Sequence, residues 1–151
     1  MRKIALATVI ATMTIASPVY ASGEGRIEAR GGIAFAKGAS EASLGAAAGY
    51  DFDLGEKAFI GVEGSADKVL QKGSNVLFGI GGRVGVKASD KARLYAIGGY
   101  GFAGGTGDPF LGAGAQVNFG AKAFGKLEYR RFISNGGPDL NFATVGFGVR
   151  F

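Results

Sequence analysis

Val76-Leu77-Phe78-Gly79-Ile80-Gly81-Gly82-Arg83-Val84-Gly85-Val86-Lys87 decides the fold of this chain. Val76, Phe78, Ile80, Gly82, Val84 and Val86 face one way; Leu77, Gly79, Gly81, Arg83, Gly85 and Lys87 face the other. A period of two belongs to an extended strand, whose successive side chains point to opposite faces. One face is mostly aliphatic or aromatic, and the other mixes Gly with charge.

The same alternation runs outward in both directions and predicts eight strands. Glu24–Ala36 sets Ile27, Ala29, Gly31, Ile33 and Phe35 against Arg26, Glu28, Arg30, Gly32 and Ala34. Ala42–Asp53 sets Leu44, Ala46, Ala48, Tyr50 and Phe52 against Ser43, Gly45, Ala47, Gly49, Asp51 and Asp53. Ala58–Asp67 opposes Ile60 and Val62 to Glu63, Ser65 and Asp67. After the quoted strand come Ala92–Ala103, with Leu94, Ala96, Gly98, Tyr100 and Phe102 opposite Tyr95 and Ile97, and Phe110–Gly120. Phe124–Phe132 sets Leu127 and Tyr129 against Lys126, Glu128 and Arg130; Leu140–Phe151 sets Ala143, Val145, Phe147, Val149 and Phe151 against Thr144, Gly146, Gly148 and Arg150. The connections at one end are Lys37–Glu41, Lys68–Asn75, Gly104–Pro109 and Ile133–Asp139, all short enough for hairpins. Most strands are close to the ~9–11 residues that a tilted strand needs to cross hydrocarbon. An even count joined by hairpins closes naturally into an all-β, eight-stranded antiparallel up-and-down transmembrane β-barrel, which leaves no unpaired edge.

Composition bounds the alternatives. The chain has 151 residues, 29 of them Gly, with no Cys, His or Trp. Gly without a triplet period, and with only three Pro, excludes collagen; a hydrophobic content of 47% excludes a flexible linker. A secreted Gly-rich amyloid former would share the alternation, but no internal repeat supports one. Arg2 and Lys3, the apolar stretch Ile4–Ala16, the Ser17-Pro18 break and Val19-Tyr20-Ala21 form a secretory signal peptide over residues 1–21. Residues 22–151 are then the barrel domain, with 15 Lys and Arg against 12 Asp and Glu, a net +3 that gives no reason to invoke nucleic acid.

Alternation alone does not say which face is outside, since a soluble lipocalin-like barrel has the same period with faces exchanged. The aromatics favour a membrane. Phe35, Phe78, Tyr100, Phe102, Phe110, Phe132 and Phe142 fall near one rim, and Tyr50, Phe52, Phe59, Phe119, Phe124 and Phe151 near the other, as in interfacial belts. Of these, Phe59, Phe110 and Phe142 lie on the face shared with charge. That face also holds Arg26, Glu28, Arg30, Glu63, Asp67, Arg83, Lys87, Lys126, Glu128, Arg130 and Arg150, the expected lumen charge network. Facing lipid, each mid-depth Arg or Lys would cost ~2–4 kcal/mol. Facing inward, opposite charges pair, and the interleaved Gly make room for them.

The signal peptide, the eight-strand meander, Leu94-Tyr95-Ala96-Ile97-Gly98-Gly99-Tyr100, Lys126-Leu127-Glu128-Tyr129-Arg130 and a terminal strand ending on Phe151 resemble the small outer-membrane β-barrels of Gram-negative bacteria. That family includes the OmpA-like transmembrane domain and opacity-protein-like, "porin family" barrels. The resemblance implies an outer-membrane location and a terminal strand, Val145, Phe147, Val149 and Phe151, read by the barrel-assembly machinery. It also implies membrane lipid and lipopolysaccharide as surroundings, and a monomer is expected. A periplasmic wall-binding domain of the kind longer OmpA-like proteins carry is not expected.

Catalysis has few candidates. Barrel enzymes such as lipid A deacylases, palmitoyltransferases and omptin-type proteases use His, which this chain lacks. Ser43, Ser65, Asp51 with Asp53, and Glu63 with Asp67 remain, and each reads more simply as a lumen or rim group. Gly99–Gly104 matches G-x-G-x-x-G but leads into Gly105-Thr-Gly-Asp-Pro109 rather than a helix, so it cradles no pyrophosphate. Asp51, Asp53 and Glu56 beside a turn are no metal site, and no cofactor is expected. The expected function is an envelope scaffold with at most small-solute or ion permeability, because eight strands leave a lumen that side chains fill. The alternatives are an opacity-type surface adhesin and a lipopolysaccharide-binding protein with Lys68, Lys72 and Arg131 on lipid phosphates.

Overall fold

The computed structural model describes residues 22–151; the predicted signal peptide, residues 1–21, lies outside the described residues. Eight strands follow in order: β1 (Gly23–Ala36), β2 (Ala39–Leu54), β3 (Ala58–Val69), β4 (Val76–Lys87), β5 (Ala92–Ala103), β6 (Thr106–Phe119), β7 (Ala123–Phe132) and β8 (Leu140–Arg150). Each pairs antiparallel with the next, and β8 returns to β1, so the sheet closes. Closure extends to the last residue, because Phe151 and Gly25 exchange both backbone hydrogen bonds, at 2.8 and 2.9 Å.

The stagger is read from one circuit of the ladder. From Gly25 the register passes through Tyr50, Val62, Gly82, Gly98, Leu111, Arg131 and Asn141 and returns to β1 at Phe35, ten residues along the strand. A shear of that size on eight strands tilts them by about 40° to the barrel axis.

Two strands begin three or more residues earlier than the sequence reading expects. β2 starts at Ala39 instead of Ala42, and β6 at Thr106 instead of Phe110. Glycine is the reason. The β5–β6 connection is only Gly104-Gly105, both with positive φ (57° and 87°), a two-residue turn whose twist matches the strands. Pro109, expected to end a loop, sits inside β6, at a level where β7 has already ended its ladder at Phe132. A missing N–H is tolerated at such a projecting tip. Three of the four loop-end connections are shorter than expected, at Lys37-Gly38, 70–75 and Gly104-Gly105, and the fourth, 133–139, has the expected span.

The face assignment holds on every strand. Ile80 (65% exposed), Leu111 (63%) and Leu127 (62%) point outward, while Arg26 (1%), Arg83 (2%) and Lys126 (3%) are buried inside. The aromatic belts need correction. Phe124 and Phe132 join Phe59, Phe110 and Phe142 inside the barrel, all five buried. The period of two decides this, since Phe124 and Phe132 share parity with Lys126 and Arg130. Tyr50, Phe52, Phe119 and Phe151 remain outside at one rim, and Phe35, Phe78, Tyr100 and Phe102 at the other. Tyr100 also donates to the Gly107 carbonyl at 2.8 Å.

Candidate functional site

The lumen is filled in layers that follow from strand parity and stagger. At the end carrying the termini, Glu24 accepts from Arg93 (3.0 Å) and Arg150 (2.8 Å). Arg93 also lies 3.6 Å from Asp51, which is bonded by Arg83 Nε at 2.8 Å and approached by Arg26 at 3.6 Å. Arg26 Nη1 donates to Glu63 Oε2 at 2.7 Å. Glu63 is a hub, within ion-pair reach of Arg26, Arg30, Lys126 and Arg130.

Glu128 is a second hub. It accepts from Arg130 Nε (2.5 Å), Arg30 Nη1 (3.3 Å) and the Tyr95 hydroxyl (2.5 Å), and it faces Lys126 at 3.2 Å. Arg30 reaches on to Asp67, with Nε at 2.7 Å. Lys126 and Glu28 are in contact, although neither Glu28 oxygen accepts an aligned hydrogen bond. Seven cations (Arg26, Arg30, Arg83, Arg93, Lys126, Arg130 and Arg150) and six carboxylates (Glu24, Glu28, Asp51, Glu63, Asp67 and Glu128) thus form one connected network. A low-dielectric interior makes unpaired charge costly, so near-balance is what allows so many ions inside.

Aromatic rings complete the filling. Arg83 lies over Tyr95 (4.7 Å) and Phe59 (5.2 Å), and Arg130 over Phe110 (5.0 Å). Toward the loop end Phe110, Phe132 and Phe142 pack in sequence, with centroids 5.1 and 5.7 Å apart. With Ala34, Val69, Leu77 and Leu140 they make an apolar lid over the charges. Inward glycines supply the space. A Cβ on Gly85 would strike the Phe59 ring at 2.6 Å, and one on Gly81 would meet Phe110 at 3.0 Å.

Of the eleven charges read from the sequence, ten belong to this network. Lys87 stands apart, pairing with Asp53 at 2.7 Å at the barrel end, because it is the last residue of β4. Asp51, Arg93 and Glu24 are network members that the sequence reading did not include, and parity was the available signal. Asp51 alternates with Ser43 and Ala47, and Arg93 with Tyr95. Gln116, donating to Asn118 at 3.0 Å and accepting from Arg83 at 3.3 Å, lies on the lumen face by the same parity, although its uncharged side chain was not read as part of the network.

The other sequence candidates separate. Ser65 accepts from Arg130 at 3.3 Å; Ser43 is buried with no hydrogen-bond partner among the described residues. Asp51 is bound to Arg83 and Asp53 to Lys87, so the two do not act as a pair, and Glu63 and Asp67 are joined through Arg30. Gly99–Gly104 runs along β5 into its turn, with no helix following. Lys68 and Lys72 are exposed toward the loop end, whereas Arg131 is bonded by Asp139 at 2.6 and 2.8 Å. Val145, Phe147, Val149 and Phe151 form one outward row on β8 and the terminus.

A closed eight-strand barrel with an aliphatic exterior and an ionic interior is the arrangement of an outer-membrane barrel. The family model for the outer membrane protein beta-barrel domain matches residues 7–151. This chain belongs to that family. Among solved structures it is similar to Ail, the attachment invasion locus protein of Yersinia pestis, at 13% identity and a TM-score of 0.64, covering 85% of this chain and 97% of that one. It is similar to the N-terminal β-barrel domain of Pseudomonas aeruginosa OprF, at 15% identity and a TM-score of 0.62, with the same coverage of 85% and 97%. It is also similar to the outer membrane enzyme PagL, at 9% identity and a TM-score of 0.64, covering 82% and 98%. At such identities the likeness establishes the barrel and nothing about activity. No curated protein sequence matches the chain.

Proposed function

We propose that this protein is a plugged outer-membrane scaffold with an envelope role and at most small-solute or ion permeability. The observation that carries this reading is the continuous ion network, sealed at the loop end by Phe110, Phe132 and Phe142. A hydrated ion would have to part paired charges held in low dielectric, and then pass three packed rings. Planar-bilayer recording of the refolded barrel tests it. Little or no open conductance is expected; large, stable, nanosiemens-scale openings would overturn it.

In this reading residues 1–21 direct export and are removed after Ala21, and the turns at 55–57, 88–91 and 120–122 face the periplasm. The β8 row from Val145 to Phe151 is what the assembly machinery would read, and the barrel is a monomer. A non-catalytic role is supported by the engagement of Ser65, Asp51, Glu63 and Asp67 with arginines, which ties up these four candidates. Connections of two to seven residues offer too little surface for an adhesin interface of ~800 Å². Lipid-phosphate contact rests on Lys68 and Lys72, since Asp139 already neutralises Arg131. Changing all three to Gln should weaken lipopolysaccharide binding, and unchanged binding would end that idea.

A further inference from the structure

Above the aromatic lid the loop end of the barrel opens into a vestibule of about 210 Å³. Phe132 forms its floor, Leu77 and Leu140 its apolar walls, and Thr106, Asp108 and Ser134 line it with polar groups. Asp108 faces inward because it shares parity with buried Phe110 on β6. The six network carboxylates below the lid each have a cation, but among the described residues no Lys or Arg pairs with Asp108. Arg131, the cation of the neighbouring strand end, is on the outward face and bonded to Asp139. The result is a carboxylate without a cationic partner among the described residues, in a small, open cup that has both polar and apolar walls and an aromatic ring in its lining.

We propose that this vestibule binds a small amphipathic ammonium ion, of the arylalkylamine class. The ammonium would donate to the Asp108 carboxylate, with the Thr106 and Ser134 hydroxyls as further acceptors. The ring would lie between Leu77 and Leu140 over Phe132. A cup of this size is smaller than the pockets that enclose drug-sized ligands, so a single ring with a short arm is the fitting scale. An anion is disfavoured by Asp108, and a bare metal ion would leave the apolar walls unused. The lid lies beneath the cup, so binding does not require the lumen to open.

The test uses the refolded barrel in phospholipid nanodiscs, with protein-free discs as control. Phenethylamine, 2-phenylethanol and phenylacetate are titrated while the methyl resonances of Leu77 and Leu140 are followed. The amine should bind about tenfold tighter than the alcohol, the margin expected of a charge-assisted hydrogen bond, and the acid more weakly still. Asp108→Asn should bring the amine down to the alcohol, and Asp108→Glu should restore the preference. Ala103→Leu, which fills the cup from β5, should weaken both ligands. Equal binding of amine and alcohol to the native barrel would overturn the proposal. So would an amine preference that survives Asp108→Asn, or amine binding unaffected by Ala103→Leu. Heat-modifiable migration reports whether each variant folds. If Asp108→Asn does not, the probe series and Ala103→Leu still decide.

Discussion

The charged middle of the lumen and the aromatic lid above it fill the same barrel with opposite chemistry. In the middle, Glu63 and Glu128 each serve several cations, while Arg83 and Asp67 hang on the network through single partners, Asp51 and Arg30. In the lid, Phe110, Phe132 and Phe142 need only shape, and a neighbour can shift to meet a change. The difference is one of tolerance. A network of buried ions fails as a unit when one member goes, because each loss leaves a desolvated charge without its counterion. Packed rings fail by degrees, through a cavity that partly collapses.

Glu63→Ala is the sharpest way to break that contrast. It leaves Arg26, Arg30, Lys126 and Arg130 sharing fewer carboxylates, and should cost about 5 kcal/mol, the upper end for removing one partner of a buried pair. Denaturant unfolding from vesicles measures it; a cost near that of an ordinary cavity would dissolve the distinction between the regions. Phe110→Ala should cost about 3 kcal/mol, the lower end for a buried Phe, because the lid borders the open vestibule and can relax into it. Tyr95→Phe lies between the two chemistries. It keeps the ring under Arg83 and removes only the hydroxyl's bond to Glu128. About 1.5 kcal/mol is expected, the low end for a hydrogen bond to a charged acceptor, since Glu128 retains Arg30, Lys126 and Arg130.

These two regions were unequally legible in the sequence. The network was, because a charge on a strand that crosses a membrane must face inward, and period two then assigns the whole face at once. Arg26, Arg30, Glu63, Arg83 and Glu128 all follow from that single rule. The lid was not, because a phenylalanine near a strand end suits either an interfacial belt or a plug. Strict application of parity would have moved Phe124 and Phe132 inside. What parity could not supply was stagger. Which β7 residue stands beside which β3 residue depends on the shear of the closed sheet, and so Glu63 meeting Arg130 was beyond a reading of either strand alone. Asp108 was hidden differently, by a Pro109 that looked like a loop boundary and proved to lie within a strand. The Gly104-Gly105 pair was the unused signal for the tighter turn.

The smallest effect tests the contrast from outside the barrel. At the loop end, open to solvent, Arg131 Nε and Nη2 both donate to Asp139 Oδ2, and Asp139 Oδ1 accepts from the Ser134 N–H at 3.1 Å. The Arg131 hydrogen bond first, and then the Ser134 N–H, hold the Asp139 carboxyl below the usual carboxylate range. A depressed carboxylate stabilises the fold above the unfolded group's pKa, and that contribution is lost as pH falls through the lower, folded value. Water screens this pair as it cannot screen Glu63, so the same kind of ion pair should here leave unfolding unmoved between neutral pH and mild acid. The local titration should still respond. In Arg131→Gln the Asp139 carboxyl resonance should titrate at a higher pH than in the native chain, while unfolding midpoints coincide. A midpoint shift rivalling that of Glu63→Ala would mean that partner chemistry, not burial, sets the cost, and the distinction between lumen and rim would fall.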